Sequence, residues 1–221
     1  FRPELFMTWR YVSVGDSISS DEYTGFEGGG AAALLFENDA SRWPDWVGRD
    51  LSSRIKGAVH DDLIVNGASL DDVARRQAKA LAGLRNVRLV TYAGGLTDLE
   101  RAFENIQPDP GFVDVDRLKS WTEVLRERLR TVVESLREAA PSATLVISTL
   151  YDPSDAEGRV KDRREWPGMR AFIETLNTEL IAAAELADAW VADLIPVFDQ
   201  RGSMSSDPWL VRGVEVNDKG A

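Results

Sequence analysis

Gly15-Asp16-Ser17 follows directly on the apolar run Trp9-Arg10-Tyr11-Val12-Ser13-Val14. That order puts a hydroxyl at the exit of a strand, where the next turn exposes backbone N–H groups to a ligand. Ser17 is therefore a candidate nucleophile for acyl transfer, a chemistry that also needs a base and donors for the oxyanion. Two later segments, Asn66-Gly67-Ala68-Ser69 and Gly94-Gly95-Leu96-Thr97-Asp98, likewise follow expected strands and open helices, where such a site would lie. The base is the difficulty. The chain has one histidine, His60. It lies at the amino end of the second expected strand, about 15–20 Å from the site at roughly 3.3 Å per strand residue, and reads as a strand-edge residue.

The elements that must position these residues alternate. Tyr11 to Val14, Asp62 to Asn66, Val87 to Ala93, Thr144 to Leu150 and Trp190 to Leu194 read as five strands. Helical periodicity marks Trp46 to Lys56, Leu70 to Leu84, Leu99 to Ile106, Leu118 to Ala139 and Met169 to Ala187. The clearest is the fourth, with Leu118, Trp121, Leu125, Val132 and Leu136 on one stripe and Pro141 beyond its end. Gly25 to Asp45 reads as a Gly- and Ala-rich connection, and Gln107 to Gly111 as a turn. The alternation predicts an α/β fold: a three-layer α/β/α doubly wound sheet of about five parallel strands, covered on both faces. Its site belongs at the carboxyl ends of the strands. Residues 7–221 read as one domain behind a short extension, residues 1–6.

Composition narrows the partners. A net charge of -11 argues against nucleic acid and anionic membrane surfaces. No stretch approaches the roughly 20 apolar residues that span a bilayer. With no cysteine there is neither a disulfide nor a thiolate metal site. No export signal is visible, which predicts a cytoplasmic protein if Met7 is the natural start; a mature secreted chain also fits. No cofactor is expected. A hard-cation site drawn from Asp16, Asp98, Glu215, Asp21 and Glu22 has no ligand spacing in its favour. Trp43, Trp46 and Trp166 flank loops and are expected as core or pocket walls.

Taken in order, the blocks at Ser17, Gly67 and Thr97 resemble the SGNH hydrolase superfamily, the GDSL-type esterases and lipases, over nearly the whole chain. The resemblance implies a flavodoxin-like fold and hydrolysis of ester bonds. It makes Ser17 the nucleophile, and the N–H groups of Ser17 and Gly67 oxyanion donors. Thr97 stands where the family has an Asn, so a shorter hydroxyl would replace the carboxamide. The family's Asp-x-x-His aligns with Arg212-Gly213-Val214-Glu215, which puts Glu215 in the place of the base. No terminal helix of the family's kind follows in the sequence given.

Two functional readings result. In the first, an ester-cleaving or acyl-transferring enzyme works with a degenerate triad, Glu215 replacing His, and Asp16, Asp98 and Arg212 in support. A carboxylate is intrinsically a weaker base than an imidazole. Pairing with Arg212 would hold it ionised, and a structural Arg212–Glu215 ion pair is the blander expectation. In the second, a non-catalytic protein keeps the fold to bind a small carbonyl or carboxylate ligand, with Arg212 as the cation that meets it.

Overall fold

The computed structural model describes residues 8–107, 113–161 and 165–221. The extension at residues 1–6 and most of the expected turn after Gln107 lie outside them. Five parallel strands, β1 (Arg10–Gly15), β2 (Val59–Asp62), β3 (Val87–Ala93), β4 (Thr144–Ser148) and β5 (Trp190–Ala192), form a sheet in the order β2-β1-β3-β4-β5. The chain runs outward from β1 to β2, then returns past β1 to β3. The order thus reverses between β1 and β3, whose carboxyl ends lie side by side, and such a reversal opens a crevice for ligands. Gly15 is in register with Ala93 there, which brings the turns carrying Ser17 and Thr97 together.

Alternation along the strands separates two faces. Val12, Val14, Val90, Tyr92, Leu145 and Ile147 point into the main core. Over them pack α3 (Leu70–Asp72), a π-helical turn at Val73–Gln77, α4 (Ala78–Ala82), α5 (Leu96–Ile106), α6 (Val115–Ala139) and α7 (Met169–Leu186). The opposite face carries Tyr11, Ser13, Leu89, Thr91 and Val146, with Trp190 72% exposed on β5. Its layer is thin. The short α1 (Ala31–Phe36) reaches it through Phe36, whose ring lies 5.4 Å from that of His60.

Helix α6 begins one turn before its expected start, because Asp114 accepts from the N–H groups of Asp116 and Arg117 (3.1 and 3.0 Å) and caps it. Leu125, Leu129, Val132, Val133 and Leu136 are its buried stripe. Glu179 of α7 ties the two long helices together, each of its carboxylate oxygens gripped by one guanidinium, Arg126 or Arg130.

Several expected boundaries move. β2 ends at Asp62, where the apolar triplet Leu63-Ile64-Val65 suggested a start. An edge strand tolerates charge, and Asp61 pairs with Arg10 of β1. The triplet still runs beside β1 through single bonds from Leu63 N–H to the Ser13 carbonyl and from Val65 N–H to that of Gly15. The helix expected over Trp46 to Lys56 shrinks to α2 (Leu51–Arg54), capped by Asp50. Gly48, at φ +73, breaks the chain before it. Two more elements escaped the periodicity: α1, inside the Gly- and Ala-rich connection, and a two-stranded hairpin, β6 (Leu210–Val211) with β7 (Glu215–Val216). A last short helix, α8 (Ile195–Phe198), precedes the hairpin.

Leu129 is 1% exposed in the centre of the α6 stripe. Leu129→Ala is expected to destabilise the fold by about 2–5 kcal/mol, read as a lower urea midpoint at unchanged slope. An unmoved midpoint would contradict this placement of the core.

Candidate functional site

The turn after β1 is built around a glycine and a buried acid. Gly15 has φ +144, and a Cβ there would lie 1.8 Å from the Ala93 carbonyl oxygen. No other residue fits. Its peptide is gripped by Gln77: the Gly15 N–H donates to Oε1 and the Gln77 Nε2 donates to the Gly15 carbonyl, both at 2.8 Å. Gln77 closes the π-helical turn, a local widening often found at functional sites. Asn177 of α7 holds Leu150, just past β4, in the same two-bond manner.

Asp16 is 0% exposed and joins two loops. Its Oδ1 accepts from Ile18 N–H (3.1 Å), which shapes the 3-10 turn Ser17–Ser19. Its Oδ2 accepts from Gly95 and Leu96 N–H (2.8 and 3.0 Å) at the start of α5. Gly95 has no side chain to cap that helix and sits at φ +109, so the carboxylate from β1 serves as its cap and meets the positive end of the helix dipole. Burial pushes the Asp16 carboxyl up to about 6, and the surrounding N–H donors, Thr97's included, limit the rise. Ser17 opens its turn at 8% exposure, and half-buried Thr97 lies in the first turn of α5.

The second loop is held from the third. Asp98, on the first turn of α5, accepts from Leu70 N–H at 2.7 Å and pairs with Arg128 of α6 at 2.7 Å. It therefore braces the start of α3 as well as its own loop. Ser69 and Asp72 cap α3 reciprocally. Gly67 is exposed at φ +73, with nothing within 4 Å of the place a Cβ would take. Its left-handed turn is the conformation that favours a glycine at this position.

The β6–β7 hairpin closes the site from the other end of the chain. β7 packs against the 3-10 turn that carries Ser17. Glu215 Oε2 is buried there without a hydrogen-bond partner. The hairpin is anchored by the Tyr151 hydroxyl, which donates to the Val214 carbonyl. The expected Arg212–Glu215 ion pair is not formed. Arg212 instead lies with its guanidinium carbon 5.2 Å from the centre of the Tyr23 ring. The Asn66 Nδ2 donates to the Tyr23 hydroxyl at 3.1 Å and also to the Glu22 carboxylate.

His60 is in β2, on the edge of the sheet. Its ring stacks on Tyr11, and its Nε2 lies 2.8 Å from Ser13 Oγ, which donates in turn to Asp62 at 2.8 Å. Burial lowers the His60 pKa against the pull of Asp62, Asp61 and Asp21. Among the described residues, no three His, Cys, Asp or Glu side chains gather as metal ligands, and no helix is long and apolar enough to cross a membrane. A cavity of about 520 Å³ lies between α1 and the end of the chain, walled by Leu34, Trp43, Trp46, Val197 and Trp209. Neither Ser17 nor Glu215 lines it. Trp166 belongs to the core, edge-on to Phe103 at 4.7 Å.

Gln77, Asn177, Tyr23 and Tyr151 were not foreseen. Gln77 had one available signal, since it interrupts the apolar stripe Leu70, Val73, Leu81. A polar residue on a buried face must find a partner.

The Ser17 turn thus sits where the order of the parallel sheet reverses, with β7 of the last hairpin packed against it and the Glu215 Oε2 atom buried. The chain matches the GDSL-like lipase/acylhydrolase family over residues 13–221, and it belongs to that family of ester-cleaving hydrolases. In fold it is similar to an extracellular lipase from Streptomyces rimosus, at 17% identity and TM-score 0.67, covering 96% of this chain and 94% of that one. A phospholipase A1 from Streptomyces albidoflavus NA297 gives 19% and 0.62, covering 96% and 93%. An acetylxylan esterase from Geobacillus stearothermophilus gives 16% and 0.61, covering 96% and 88%. No curated protein matches the chain.

Asp16 has a testable pH signature. The folded chain holds this proton more tightly than the unfolded one, whose aspartates titrate at about 3.9. Its contribution to stability is therefore lowest above pH 6 and grows as pH falls through about 6. Relative to Asp16→Asn, wild type is expected to gain stability between neutral pH and about pH 4 in urea titrations. A difference that stays flat across that window would contradict the burial of this group.

Proposed function

We propose that this chain is an ester hydrolase in which Ser17 attacks the acyl carbon and Glu215 replaces the usual histidine as base. The observation that carries the reading is the buried, unpartnered Glu215 Oε2 on a strand packed against the Ser17 turn. A carboxylate oxygen without a donor is unfavourable in a fold. A serine hydroxyl or a bound water is the partner this position suits.

In this reading, the Ser17 hydroxyl proton passes to Glu215, directly or through one water, as Oγ bonds to the acyl carbon. The tetrahedral oxyanion is met by the N–H groups of Ser17 and Gly67 and by the Thr97 hydroxyl. Collapse expels the alcohol, which takes up the proton. Water then hydrolyses the acyl-serine by the same route. Asp16 holds the Ser17 and Thr97 loops in register, and Asp98 holds the start of α3 beside them.

Ser13 gives a second reading, because it makes a Ser–His contact of hydrogen-bond length. Against it, Ser13 is 1% exposed within a strand, and its proton is already given to Asp62. The two readings separate under a fluorophosphonate probe with mass mapping of the adduct. Label on Ser17, lost in Ser17→Ala together with turnover of p-nitrophenyl butyrate, is the expected result. Label on Ser13, or turnover that survives Ser17→Ala, would overturn it. Glu215→Gln is expected to lower kcat by about 10²–10⁴-fold, the usual contribution of a positioned base. Glu215→His should retain or raise activity at neutral pH.

A further inference from the structure

Arg212 sits at φ +49, immediately before Gly213 at φ +97, in the turn of the β6–β7 hairpin. A left-handed conformation disfavours a residue with a Cβ by roughly 1–2 kcal/mol, and Gly or Asn would occupy the position with less strain. The side chain is exposed and forms no ion pair among the described residues. That is unexpected in a chain of net charge -11. The acids on the same rim are engaged elsewhere. Asp21 accepts from Gly28 and Gly30 N–H (2.6 and 2.7 Å), and Glu22 accepts from Asn66.

Arg212 is nevertheless held in place. Its guanidinium carbon stands 5.2 Å from the centre of the Tyr23 ring, within the range of cation–π attraction. The Tyr23 hydroxyl accepts from Asn66, the residue before Gly67. A chain of contacts therefore runs from the cation to the loop whose N–H is assigned to the oxyanion. On the other side, Arg212 is three residues from Glu215 on the hairpin that covers the Ser17 turn.

We propose that Arg212 is a specificity residue, and that its guanidinium, steadied on Tyr23, receives a carboxylate carried by the ester substrate. The inference rests on the reading of Ser17 as nucleophile and adds a substrate class, acidic esters, to it. A guanidinium presents two parallel donors that match a carboxylate. The acidic rim favours a singly charged group over a phosphate monoester, which brings about 1.5–2 negative charges.

The test compares two esters with four-carbon acyl groups, p-nitrophenyl hydrogen succinate and p-nitrophenyl butyrate. They are assayed with wild type, Arg212→Asn and Ser17→Ala. Asn tolerates the left-handed turn and removes the cation. Wild type is expected to prefer the acidic ester by about tenfold in kcat/KM, about 1.4 kcal/mol. Raised salt should weaken that preference. Arg212→Asn should erase it, bringing the ratio of the two kcat/KM values to about one. An equal loss on both esters, or no change on either, would overturn the proposal. If Ser17→Ala hydrolyses both esters as wild type does, the nucleophile assignment fails on its own. Equilibrium dialysis with N-(4-nitrophenyl)succinamate and N-(4-nitrophenyl)butyramide then decides the Arg212 question without turnover. Arg212-dependent preference for the acid supports the carboxylate site, and equal binding of the two ends it.

Discussion

One carboxylate organises the reacting end of this molecule. Asp16 emerges from the sheet fully buried and spends both oxygens on backbone N–H groups, one set in the turn that carries Ser17 and the other at the first turn of α5. A buried acid is expensive to ionise, and its raised pKa records that expense. The compensation is positional. Two loops from separate strands are held by a single rigid group, so a hydroxyl and a helix start keep one spacing.

The sheet order makes this clamp possible. Because the chain reverses between β1 and β3, Gly15 and Ala93 end side by side, and only glycine fits where their backbones meet. The core then stiffens the arrangement from beneath. Gln77 secures Gly15, Asn177 secures Leu150, and Asp98 joins α5 to α3 and α6. These are side-chain bonds to backbone groups left over at strand and helix ends, where regular ladders cannot reach. On the far face the cover is thin, so the rigidity comes mainly from one side.

Much of this was legible in the sequence because it depended on local pattern. The run before Ser17, the Gly-rich exits at Asn66–Ser69 and Gly94–Asp98, and the stripe of α6 each announce themselves within a few residues. The order of the blocks carried the family. What could not be read were contacts between distant segments. Arg212 and Glu215 look like an ion pair at a separation of three, but the hairpin turns one toward Tyr23 and the other inward. β2 was placed too late because an edge strand accepts His60 and Asp61, which precede the apolar triplet that drew the expectation. Tyr151 and Gln77 act on residues more than sixty positions away, and no window of sequence contains both partners.

The clamp is open to direct observation by amide hydrogen exchange. In wild type the N–H groups of Ile18, Gly95 and Leu96 should all be protected. In Asp16→Asn, at neutral pH, all three should lose protection together while the amides of β3 and α6 keep theirs. Unchanged protection at those three positions would mean that some other contact sets the spacing between the two loops.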